Sequence, residues 1–182
     1  TVLLATTTHI MRPNWCPFAA TAAELCDGFA HSPIVCAGSY NPEGKLTAPA
    51  FPGWQYAADF VLVEADGSKR LPAKAHAAWE PVLPPERSRT VCVFGASALG
   101  QPIQDAAHRP ELYASLAEVS PDAVITPAIA ARVLAKEGGF DVLFINQADV
   151  LEDPAAALQP LVYTLPCPAI YGALAEGYWA KL

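Results

Sequence analysis

Two acidic words in this sequence combine residue types that nucleotide chemistry requires. The first, Phe60 to Arg70 (FVLVEADGSKR), ends an apolar run with two carboxylates, a glycine and two cations. Glu64 and Asp66 are the catalytic candidates, able to hold Mg²⁺ directly or through water. The Gly67 amide suits a terminal phosphate, and Lys69 and Arg70 suit phosphate or substrate charge. The same residues also describe an acidic turn bent at Asp66-Gly67 with solvated cations. The second word, Phe140 to Asp149 (FDVLFINQAD), ends in Asn146-x-x-Asp149 and is similar to the guanine-reading Asn-Lys-x-Asp of GTPases. A carboxylate there accepts from both the ring N–H and the exocyclic amine of guanine, a pattern adenine lacks. Gln147 stands in the place of the Lys, and Asp149 could instead cap a turn before Pro154.

Other candidates are narrower. Gly172 and Ala173, after the last apolar run, could give a backbone contact to a base. Gly95 to Gly100 (GASALG) is followed by Gln101 and Pro102 rather than Lys-Ser/Thr, so it reads as a strand-to-loop turn and not a phosphate loop. The four histidines have no metal-ligand spacing. Five cysteines, odd in number and without a C-x-x-C pair, exclude a disulfide scaffold and fit a reducing cytoplasm. Trp54 and Trp79 lie in Pro-rich loops that could cover a site.

Positioning these residues requires strands that end where they stand. Short apolar runs occur at Val2 to Thr6, Pro33 to Ala37, Phe60 to Glu64, Thr90 to Phe94, Ala123 to Thr126, Phe140 to Ile145 and Ala169 to Tyr171. Most lack strict alternation, as strands buried on both faces do. Helix-like stretches lie between them: Ala20 to Phe29, Pro110 to Val119, Pro127 to Glu137 and Pro154 to Leu161. The pattern predicts one α/β domain over residues 1–182 with a mostly parallel sheet, whose ligands bind beyond the carboxyl ends of the strands. A hairpin with a loop is expected around 39–55, and an extended Pro-rich loop around 71–85.

Composition sets the outer limits. The chain has 182 residues, 53% apolar, enough for a buried core. Its formal charge of -7 argues against a nucleic-acid polymer as partner, since that affinity comes from clustered basic residues. No apolar run reaches the roughly 18 residues a membrane span needs.

In order along the chain, TTTHI (Thr6 to Ile10), VLVEADGSKRLPAKAH (Val61 to His76), EPVLP (Glu80 to Pro84), FGASALG, HRPE (His108 to Glu111), ITP (Ile125 to Pro127) and NQAD together resemble the YqeC family, the selenium-dependent hydroxylase accessory proteins. The resemblance implies a three-layer P-loop NTPase-like fold near the metallochaperone GTPases. It implies GTP or ATP with Mg²⁺ as cofactor, and a role in maturing molybdenum hydroxylases that carry labile selenium. Family members open with a strand, a phosphate loop and a helix leading to TTTHI. That opening is absent here, so the implied hydrolysis, slow in any case, would be impaired.

By the same resemblance Thr7 and Thr8 are further metal or phosphate contacts, Asn146 and Asp149 read the base, and Lys69 and Gly172 complete the nucleotide set. Arg70, Lys74, Glu80, His108 and Arg109 would face a substrate or partner, either a hydroxylase apoenzyme or a cofactor-handling protein. His76 and Trp79 replace a usual Pro and His. A homodimer is compatible with this picture. The rival reading is a non-catalytic adaptor that presents a molybdopterin dinucleotide to an apoenzyme, and a third is a plain scaffold with solvated acids.

Overall fold

Runs rich in Val, Ile and Leu become strands because branched and aromatic side chains suit a pleated, half-buried surface. The computed structural model describes residues 1–182 in two units, Thr1–Gly67 with Glu80–Arg87, and Ser68–Trp79 with Ser88–Leu182. Both contain a mostly parallel four-stranded sheet, so the molecule is mixed α/β as the non-alternating runs predict.

In the first unit, β1 (Val2–Thr6), β2 (Phe18–Ala19), β3 (Ile34–Ala37) and β6 (Phe60–Glu64) form an all-parallel sheet in the order β2-β3-β1-β6. The register sets Thr6 opposite Glu64. Helix α1 (Ala22–His31) begins at Thr21 because a capping box satisfies its first amides: Glu24 N–H donates to Thr21 Oγ1 at 3.2 Å, and Glu24 Oε2 accepts from Thr21 N–H at 3.1 Å. Leu25 and Phe29 of α1 pack with Leu3, Ala5, Val35 and Trp54 on one face of the sheet. Strands β4 (Ser39–Tyr40) and β5 (Leu46–Thr47) form the expected hairpin. Its turn is tied by Asn41 Oδ1, which accepts from the N–H groups of Glu43 and Lys45 at 3.0 and 2.9 Å.

In the second unit, β7 (Ala73–Lys74) pairs in parallel with β9 (Ala107–His108), and β8 (Val91–Gly95), β10 (Val142–Asn146), β11 (Ala169–Ala173) and β12 (Tyr178–Lys181) form a sheet in the order β12-β11-β10-β8. Only β12 is antiparallel there. Besides the short α2 (Ile103–Ala106), three helices, α3 (Pro110–Ala117), α4 (Pro127–Glu137) and α5 (Pro154–Val162), contribute Tyr113, Val133, Leu134, Leu158 and Leu161 to a core with Phe94, Leu143 and Ile145.

Each sheet therefore has one face against helices. The opposite face carries exposed apolar side chains on an edge strand, Phe60 and Leu62 on β6 and Val91 and Val93 on β8.

Three expectations need correction. Ala123 to Thr126 is not a strand: Val124 makes a single bridge to Pro102, Ile125 exchanges backbone hydrogen bonds with Gly100 and Gln101, and Thr126 caps α4 by accepting from Ile129 N–H at 3.2 Å. Pro121 and Pro127 bracket the run too closely for a ladder to form. The last run extends to Ala173, so Gly172 lies inside β11 and not beyond it, and β12 follows. Finally, Asp149 caps no turn before Pro154: it lies within the 3₁₀ turn Ala148–Val150, whose N-cap is Gln147, and Asp153 caps α5 by accepting from Ala156 N–H at 3.1 Å.

Candidate functional site

At the carboxyl ends of β1 and β6 the register brings three threonines to one glutamate. Thr6 is wholly buried and its hydroxyl donates to Glu64 Oε2 at 2.7 Å. Thr8 Oγ1 donates to the same carboxylate oxygen, and Thr8 N–H donates to Thr6 Oγ1 at 2.9 Å. The backbone follows suit, with Thr7 N–H on Glu64 O at 2.9 Å. Charged acceptors make the stronger hydrogen bonds, so this arrangement fixes the Glu64 side chain rather than leaving it to solvent. Its other oxygen, Oε1, lies 3.9 Å from where a side chain on Gly67 would begin.

The returning segment joins this cluster. Thr7 Oγ1 donates to Val82 O at 2.5 Å, and Val82 N–H donates to Ala65 O at 3.0 Å, which brings the chain of Glu80 beside the Glu64–Gly67 turn. Thr7, Thr8, Glu64, Asp66, Gly67 and Glu80 thus belong to the first unit.

The cluster fits Mg²⁺. That ion keeps several waters and takes one or two carboxylates plus phosphate oxygens, and does not need a closed cage. Glu64 and Asp66, two residues apart at a strand end with the Thr6 and Thr8 hydroxyls on Glu64, are residue types that meet that demand.

Lys69, Arg70, Lys74, His108, Arg109, Asn146, Asp149 and Gly172 belong to the second unit. Asn146 ends β10, and its Oδ1 accepts from Leu174 N–H at 3.1 Å, which ties it to the chain just after β11. Asp149 is exposed in a short 3₁₀ turn over Ala148–Val150. Gln147, at φ 61°, accepts from Ser97 Oγ at 2.6 Å and so links the ends of β8 and β10.

Gly172 has a structural explanation of its own: a Cβ there would strike the Tyr178 carbonyl and come within 2.9 Å of Trp179 Cα. Gly95 is similar, since a Cβ would come within 2.6 Å of Pro72 Cβ, and Gly95 N–H donates to Pro72 O at 2.7 Å. The Pro-rich segment is thereby laid against the end of β8. It is pinned again by Glu137, which accepts from His76 N–H at 2.6 Å and pairs with His76 Nδ1 at 2.9 Å.

Sequence reasoning gave Thr6 no site role and passed over Glu137. Thr6 reads as the last residue of a strand, and only its register with Glu64 reveals the hydroxyl as a carboxylate donor. Glu137 reads as a helix terminus, and its partner lies 61 residues away. Two buried groups also titrate abnormally. Burial raises the Cys36 thiol to about 11, with the nearby Cys16 thiol adding to the effect. Burial likewise pushes the Tyr113 hydroxyl up, helped by Glu137 and Cys92.

A mixed α/β protein with a hydroxyl-clamped carboxylate at its strand ends is the class these features define. The YqeC family profile, described as YqeC protein, matches residues 1–111. The chain is also 31% identical over 183 residues to the uncharacterized protein YqeC of Escherichia coli (strain K12), which covers 88% of this chain and 72% of that one. The chain belongs to the YqeC family. No solved structure matches it. No helix is long and apolar enough to cross a membrane.

Proposed function

We propose that this protein is a nucleotide-dependent accessory factor that uses GTP or ATP with Mg²⁺ in the maturation of selenium-dependent molybdenum hydroxylases, with a P-loop NTPase-like fold. The observation that carries the nucleotide part is the Glu64 carboxylate, clamped by Thr6 and Thr8 at the ends of parallel strands, with Asp66 and Gly67 directly after it. Held there, Glu64 and Asp66 would hold Mg²⁺ directly or orient its waters, and the Gly67 amide would suit the terminal phosphate. The bound ion supplies charge neutralisation on the phosphates. On the family resemblance, Asn146 and Asp149 are the base-reading candidates of the second unit. The hydroxylase client and the selenium cargo rest on family resemblance alone.

The test is Mg²⁺-dependent nucleotide turnover. We expect slow GTP or ATP hydrolysis that is lost in Asp66→Ala and in Glu64→Gln, with Asp149→Ala relaxing any preference for guanine by about 10²-fold or more. Binding of a molybdopterin dinucleotide without any triphosphate turnover would replace this reading with that of a non-catalytic adaptor.

A further inference from the structure

In the first unit the chain that leaves β1 runs alongside the β4–β5 hairpin. Ile10 and Leu46 exchange backbone hydrogen bonds at 3.1 and 2.8 Å, and Leu46 stands opposite Tyr40 in the hairpin. Neighbouring strands lie about 4.8 Å apart, so the Tyr40 backbone is about 10 Å from Ile10, itself two residues beyond Thr8. Gly38 lets the hairpin close on the end of β3, since a Cβ there would come within 2.7 Å of Thr47 O. Tyr40 therefore follows β3 as Thr8 follows β1 and Asp66 follows β6, and these three strands are neighbours in one parallel sheet. The carboxyl ends of such strands are where an α/β sheet receives ligands.

Tyr40 is held there without being covered. Its ring lies 5.3 Å from the Phe18 ring at a 49° tilt, and the Arg12 guanidinium lies 4.8 Å from the Phe18 centroid. Phe18 in turn is fixed opposite Cys36 by the β2–β3 register. Side chains from three segments thus brace one another at distances where rings and cations attract. Yet Tyr40 is 52% exposed, and Met11 and Trp15, on the same loop as Arg12, are 72% and 67% exposed. A braced aromatic ring left in water at strand ends, with further apolar side chains on the adjoining loop, marks a surface that a ligand covers.

We infer that Tyr40, braced by Phe18 and Arg12, is a stacking platform for a planar heterocycle, the base of a nucleotide whose phosphates reach the Glu64 cluster. The inference rests on the Mg²⁺-nucleotide reading of that cluster and adds where the base lies. Two strand spacings separate the ends of β3 and β6, about 10 Å, a gap that the sugar and first phosphates of a nucleotide bridge. Stacking acts through the face of a ring and tolerates any base, so the platform holds guanine and adenine alike.

The test compares Mg²⁺–GTP, Mg²⁺–ATP and Mg²⁺–tripolyphosphate binding to the whole chain by calorimetry, with the Tyr40 ring protons followed by NMR. Tyr40→Ala should weaken both nucleotides about tenfold or more and leave tripolyphosphate binding unchanged, which also shows that the variant is folded. Tyr40→Phe keeps the ring and should bind as wild type, and Tyr56→Ala, at another exposed ring of the first unit, should have no effect. Nucleotide should move the Tyr40 ring signals upfield, and tripolyphosphate should not. Nucleotide binding indifferent to Tyr40→Ala, or Tyr40 ring signals that stay in place at saturation, overturns the platform while the Glu64 reading stands; a surface for a protein segment would give that result. Tripolyphosphate binding unaltered by Glu64→Gln overturns the Glu64 reading instead, and the platform is then upheld by Mg²⁺-free guanosine monophosphate binding that Tyr40→Ala abolishes, or overturned by its absence.

Discussion

Replacing Thr6 with Val should expose how much the hydroxyl clamp contributes. Thr6 is fully buried, and Val fills nearly the same volume, so no cavity opens and the change is confined to the hydroxyl. Four contacts go with it: those to Glu64 Oε2 at 2.7 Å and Glu64 O at 3.0 Å, the one from Thr8 N–H at 2.9 Å and the one with Thr8 Oγ1 at 3.2 Å. A hydrogen bond to a charged group contributes about 1.5–3 kcal/mol, and an orphaned buried donor costs about 1–3 kcal/mol. Thr8 Oγ1 still serves the carboxylate, which holds the net loss to about 2–4 kcal/mol. With a slope near 2 kcal/mol per molar urea, the midpoint should fall by about 1–2 M. Because the chain has two units, the readout should be local: hydrogen exchange of the β1 amides, with Thr6→Ser as the conservative control losing under about 1 kcal/mol. Thr6→Val and Glu64→Gln should also combine with less than additive loss, since each removes the same bond. A Thr6→Val protein within about 0.5 kcal/mol of wild type would refute the clamp.

Other perturbations probe the rest of the fold. Gly172→Ala forces a Cβ into the backbone of β12 at Tyr178 and Trp179, and should destabilise the second unit by about 3 kcal/mol, read by denaturant unfolding. Leu143→Ala, in the core under the helices, should cost about 2–5 kcal/mol, whereas Leu62→Ala on the exposed face of β6 should cost under about 1 kcal/mol by the same measurement. Cys36, with its thiol raised to about 11 from an ordinary 9.0, should resist alkylation until the protein unfolds, while exposed Cys26 reacts at once. Because the folded thiol stays neutral where the unfolded one ionises, its contribution is complete below pH 9.0 and declines as pH rises toward about 11, an effect that Cys36→Ala should remove from the pH–stability curve.

The parallel strands were legible because Val2 to Thr6, Phe60 to Glu64 and Phe140 to Ile145 are apolar, branched and closed by polar punctuation, which few other structures accommodate. Helices announced themselves through Thr126-Pro127 and through apolar periodicity. The failures are equally physical. Ala123 to Thr126 is branched enough for a strand, but its apolar residues serve the loop before α4, where Ile125 enters the core. Strand β12 contains Tyr178 and Trp179 yet is exposed, and only its antiparallel pairing with Ile170 to Ala173 of β11 makes it a strand. For the site, Glu64 and Asp66 stood out as acids at a strand end. The clamp by Thr6 and Thr8, the Glu137–His76 pair and the Lys74–His108 register each join residues far apart in sequence, and local chemistry carries no mark of them.

The central claim is that the acids after β6 receive a Mg²⁺-nucleotide. Mn²⁺ substituted for Mg²⁺ in the presence of GTP or ATP would broaden the NMR signals of nearby nuclei and so locate the ion. The account predicts selective broadening at Thr8, Glu64, Asp66 and Gly67, dependent on nucleotide and abolished by Asp66→Ala. Broadening spread over exposed acids such as Glu43 and Asp27, or unaltered by Asp66→Ala, would contradict it.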